Sequence, residues 1–163
     1  MIPNAEWRMR HKTSNSGKDE AGFVALVIIV LLVLGAMLYF LYNMRRASET
    51  EGKQFAREVI ERCAFQHDVK FLHSVVAADR RIAVPPAMDQ QFIDSLASLG
   101  MPDHNYNLTG KLEFDNYFLS PHGTFQSILT FSDRHGTIFV NVARPSGIWL
   151  VTDFGITWER PPE

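Results

Sequence analysis

The chain has 163 residues, a formal net charge of −2 and a single cysteine, which excludes an intrachain disulfide and any cysteine-built zinc site. From Thr50 onward ten Lys/Arg face fourteen Asp/Glu, a net −4. A mildly acidic segment without a basic stripe is a poor partner for phosphate backbones, so nucleic acid is not an expected ligand.

A polar tail, residues 1–20, opens the chain with Arg8, Arg10, Lys12 and Lys18 against Glu6, Asp19 and Glu20. Residues 21–42 then read AGFVALVIIVLLVLGAMLYFLY, 22 positions without a charge. As a helix this run spans about 33 Å, enough for a hydrocarbon core of about 30 Å. Tyr39 and Tyr42 stand at its end, where amphipathic rings favour the headgroup level, and Arg45 and Arg46 follow. The sequence therefore predicts a transmembrane helix over 21–43 that meets the lipid bilayer through residues 21–42. A cleaved signal peptide has a shorter apolar core and a small-residue cleavage site, neither of which fits this run. Gly22-Phe23 before an apolar helix superficially resembles the start of type IV pilins. Those proteins place a glutamate five positions into the mature chain, and Val27 stands there here. Lys/Arg numbers tie at four on each side of the span, over residues 6–20 and 44–58, so charge alone does not orient it. A short basic tail before one early span behaves commonly as a signal anchor, which favours a plasma or inner membrane with the domain outside the cytoplasm.

Residues 44–53 read as a juxtamembrane hinge, or, since no proline intervenes, as a stretch through which the next helix continues from the transmembrane one with little break. A helix fits Gln54–Ala64, with Phe55, Val59, Ile60 and Cys63 on one face; on that face Cys63 acts as a small hydrophobe. Asp68 is placed to cap a second helix carrying Val69, Leu72, Val75 and Val76. Pro85-Pro86 ends it. Asp89 begins a third helix, with Phe92, Ile93, Leu96 and Leu99 apolar and Gly100 at its stop. After Pro102 the period changes from 3.6 to 2: Tyr106, Leu108, Leu112 and Phe114 alternate with polar residues, as do Phe125, Leu129 and Phe131. Thr137–Ala143 is the next strand, Arg144-Pro145-Ser146-Gly147 suits a type I turn, and Ile148–Trp158 closes the sheet. On the last strand Ile148, Leu150, Thr152, Phe154, Ile156 and Trp158 form one face, and Trp149, Val151, Asp153, Gly155 and Thr157 the other. The expected class is α+β: the anchor, then about three helices packed on a curved antiparallel sheet of about four strands over 54–159, and a tail at 160–163.

The opening helices, the segment SLASLGMP (Ser95–Pro102) and the closing SGIWLVTDFGITWE (Ser146–Glu159) resemble the cystatin-like roll of the nuclear-transport-factor-like superfamily. A second resemblance, carried by LGMP and HGTIFVNVARPSGIWLVTDFGI (His135–Ile156), is to the mitochondrial cytochrome-oxidase-assembly-factor family, itself a single-span anchor with a small α/β domain. Members of both groups joined to a membrane helix tend to be scaffold or assembly subunits, as in the bitopic components of type IV secretion systems. The roll superfamily also contains isomerases and dehydratases with Asp and His in the concavity of the sheet, and Asp153 is the carboxylate here that alternates into such a position.

No other catalytic set emerges. His67 and His73 are six residues apart and face different ways on a helix, while His104, His122 and His135 fall in expected loops. Phosphate loops and nucleophile elbows are missing from the sequence. The expectation is a bitopic scaffold that binds a partner protein, without cofactor or metal and without enzymatic activity; the alternative is a tethered small-ligand binder or isomerase/dehydratase-like enzyme using Asp153. The full-length chain should remain in the membrane pellet through an alkaline carbonate wash, and its release into the supernatant would remove the anchor.

Overall fold

The computed structural model describes residues 16–116, 119–132 and 134–159; the tail at 160–163 and most of the tail at 1–20 lie outside them. The chain divides into two compact units, Met1–Leu41 and Tyr42–Glu163. Helix α1 runs Ser16–Ile60. Its apolar side chains from Phe23 to Phe40 are exposed, and it is long and apolar enough to cross a membrane.

Residues 44–53, expected as a hinge, are helical. The reason is local: Arg45 and Glu49 pair at 3.6 Å across one turn, Thr50 Oγ1 donates to the Arg46 carbonyl, and no proline intervenes. After Ile60 the helix does not simply run on. Glu61–Phe65 form a π-helical turn, whose extra residue per turn escapes a periodicity argument. Asp68 caps α2 (Val69–Val75), its Oδ1 accepting the Phe71 N–H at 3.0 Å. A short helix, α3 (Ala78–Ala83), was not expected; α4 (Pro86–Ser98) starts three residues before Asp89, with proline in its first turn where no N–H partner is lost. Gly100 ends it at φ +81°, a left-handed backbone that glycine adopts without Cβ strain.

Four strands follow: β1 (Thr109–Asn116), β2 (Leu119–Thr130), β3 (His135–Ala143) and β4 (Leu150–Trp158). They pair antiparallel in chain order, β1-β2-β3-β4, in one open sheet. The α+β class is as expected. One sheet face carries Leu112, Phe125, Leu129, Ile138, Val140 and Val142, all buried. Helix residues Ala56, Val59, Ile60, Cys63, Leu72, Ile93 and Leu96 are buried with them in a single cluster. The turn after β3 is tied to α1 by Arg144, which bonds Glu51 at 2.6 Å and the Gly147 carbonyl at 2.8 Å.

Strand β4 departs from simple alternation. Asn141 pairs with Asp153 and Val142 with Val151, which leaves Thr152 as an extra residue in a bulge. Val151 and Phe154 are therefore both buried although they stand an odd number of positions apart, at i and i+3, and the two expected faces of this strand exchange at Thr152. Trp149 and Leu150 are both half-buried; Trp149 stacks on Phe55 with ring centroids 6.3 Å apart.

Leu96 is fully buried on α4. Leu96→Ala should cost about 2–5 kcal/mol, measured in urea melts followed by tryptophan fluorescence, and a loss below about 1 kcal/mol would contradict this packing.

Candidate functional site

Asp153 lies on β4, the last strand of the sheet, at the bulge. Its side chain is 54% exposed, with the carboxylate 3.9 Å from Arg80 Nε. Its Oδ1 accepts the N–H of Phe154 at 2.9 Å. This is a solvated rim position rather than the floor of a pocket, and no histidine pairs with it among the described residues.

The histidines are dispersed. His67 sits at φ +53° between the π turn and α2. His104 stacks on Phe65 at 4.8 Å, and His135 Nδ1 is 3.1 Å from Thr130 Oγ1. His122 and His135 lie in strands rather than loops, because pairing with β1 and β3 absorbs the polar segments around them. Among the described residues no group of His, Cys, Asp and Glu has the arrangement of a metal site. Cys63 is fully buried, and burial, reinforced by the Asp68 and Asp89 charges, pushes its thiol up to about 12. A thiol so raised is not a nucleophile at neutral pH. Tyr106 is likewise pushed up to about 12, by burial first and then by Glu61, to which its hydroxyl donates at 3.1 Å.

The polar interaction that the sequence did not reveal is between Arg80 and Asp89. Both terminal guanidinium nitrogens of Arg80 donate to the Asp89 carboxylate, at 3.1 and 2.8 Å. The two side chains are only 9% and 7% exposed. His73 Nε2 approaches the same carboxylate to 3.8 Å. This bidentate pair joins the two ends of the segment between them. Arg81 adds bonds from its guanidinium to the Val76 and Ser74 carbonyls, and the Ala77 N–H bonds the Val151 carbonyl at the edge of β4. The clamped segment carries Ile82-Ala83-Val84-Pro85-Pro86-Ala87-Met88, seven uncharged apolar residues in a row. All but Val84 are exposed, Ile82 at 86% and Met88 at 57%. Soluble surfaces seldom leave such a run open unless something covers it.

A second feature is a groove of about 590 Å³ between α1 and the β1–β2 hairpin. Arg45, Arg46, Lys53, Arg57 and Lys111 line it against a single carboxylate, Glu49, and Phe125 and Leu112 form part of its wall. The net acidity of the sequence conceals this concentration of cations: three of them lie at 45, 46 and 53, around Thr50, where the acidic segment begins, and Lys111 joins them only through the fold.

Comparisons with protein-family models, curated proteins and solved structures find no match, which leaves the geometry as the guide to function. Replacing one partner of the clamp, as in Arg80→Met or Asp89→Leu, leaves a buried charge alone and should lower stability by about 3–5 kcal/mol. The double replacement should recover most of that loss in the same urea melts; equal losses in the single and double variants would show that the pair is not the source of the stability.

Proposed function

We propose that the chain is a bitopic, membrane-anchored scaffold or assembly protein whose α+β domain binds a partner protein at the membrane surface, with the domain outside the cytoplasm of a plasma or inner membrane. The clamped apolar segment 82–88 carries this reading. Covering a large aliphatic side chain such as Ile82 is worth about 1.5–3 kcal/mol. The Arg80–Asp89 pair and the two prolines hold the segment in one shape before any partner arrives, which lowers the ordering cost of association. The anchor adds confinement to a plane, raising the effective concentration of a partner that shares the membrane. Asp153, the residue on which an enzymatic reading depends, supports it poorly from its solvated rim beside Arg80.

A photo-crosslinking residue placed at Ile82 or Met88 should capture a discrete partner in cells, and one placed at the exposed Lys70 should not. Ile82→Ser with Met88→Ser should abolish complementation of a deletion strain without lowering the melting temperature. Asp153→Asn should complement normally. Loss of complementation by Asp153→Asn, with an unchanged melting curve, would instead favour a tethered enzyme.

A further inference from the structure

Cations crowd the α1–β1 groove without matching anions. Arg45 is engaged, paired with Glu49 at 3.6 Å and set over the Phe114 ring at 5.0 Å. Arg46, Lys53, Arg57 and Lys111 make no ion pair with any carboxylate among the described residues. Lys53 and Arg57 stand four apart on the same helix, a spacing at which like charges are unfavourable. An anion bound between them reverses the sign of that interaction.

The other wall of the groove decides what kind of anion fits. Gly110, Lys111 and Leu112 belong to β1, the first strand in the sheet order, which has no strand on its outer side among the described residues. Its outward N–H and C=O groups are open to a further strand. From Arg45 to Arg57 the helix rises about 18 Å, the length of about five residues of extended chain.

We infer that the groove receives an extended acidic segment of a partner protein, added as a strand to the outer edge of β1 with its carboxylates facing Arg46, Lys53, Arg57 and Lys111. Backbone bonds to β1 supply the register, and charge supplies the selectivity. The inference extends the partner-binding reading but uses none of the residues at 82–88, so either can fail alone.

The full-length protein in neutral detergent micelles is titrated against a fluorescent synthetic peptide of alternating Glu and Val, with anisotropy as the readout. Saturable binding is expected, weakening as salt is raised. Lys53→Gln combined with Lys111→Gln should weaken it about tenfold, with an unchanged melting temperature, whereas Lys70→Gln should leave it unaltered. Methylating alternate backbone nitrogens of the peptide, in either register, should abolish binding in at least one of the two. Undiminished affinity for both methylated peptides would refute strand addition, and undiminished affinity of the Lys53/Lys111 variant would refute the groove. In nanodiscs of phosphatidylcholine, doping with phosphatidylglycerol should leave peptide affinity within about twofold; displacement of the peptide by phosphatidylglycerol would make the groove a lipid site and overturn the proposal.

Discussion

How near α1 comes to the sheet is set at Gly52. A Cβ there would meet Leu112 Cδ1 at 2.9 Å and Trp149 Cη2 at 3.0 Å. Glycine inside a helix costs roughly 1 kcal/mol relative to alanine, and the contact explains why it stands here. One turn on, Ala56 is fully buried, and Val59, Ile60 and Cys63 continue the same buried face. Small residues first and branched ones after them let the helix lie close to β1 at one end while the core fills at the other. Leu112 thus has two roles, meeting Gly52 in the core and lining the cationic groove, so the packing distance of the helix also sets the width of that groove.

The second organising contact, the Arg80–Asp89 pair, is costly by itself. Both ions lose water, and a well-packed apolar pair of similar volume is often as stable or more so. The loose ends are visible: Arg80 Nε and His73 Nε2 are buried without a hydrogen-bond partner among the described residues. What the pair achieves is geometric. A fork of two bonds fixes direction as well as distance, and here it closes a short helix and two prolines into a loop whose apolar side chains cannot fold back onto the core. A loop of the same composition without the clamp would have freedom to collapse.

Much of the architecture was legible because it rests on local signals. The uncharged run, the Asp68 cap, the Gly100 stop and the change from helical to alternating period each involve residues within a few positions of one another. The misses share the opposite property. A bulge at Thr152 inserts one residue, and a strand's alternation has no means to register it until the pairing with Asn141 and Val142 is known. The π turn at Glu61–Phe65 and the six-residue α3 are too short to show a period. Arg80 and Asp89 are nine positions apart with prolines between them, so no helical spacing links them. The groove draws on residues 45–57 and 110–125, which only the packing of α1 brings together.

The order of the sheet has a consequence for synthesis. Each strand pairs with the one made just before it, so every hairpin closes a short loop and the sheet can grow by addition at one edge. The helical half of the core emerges first, however, and Val59, Ile60 and Cys63 share a buried cluster with Val151 and Phe154 near the C-terminal end. During elongation that helical face must wait, uncovered, for the last hairpin to leave the ribosome. The interval is one of seconds at ordinary elongation rates, and through it the nascent chain presents an apolar helix surface that the finished fold hides. Chaperone demand should therefore peak just before β4 is complete rather than at the start of domain synthesis.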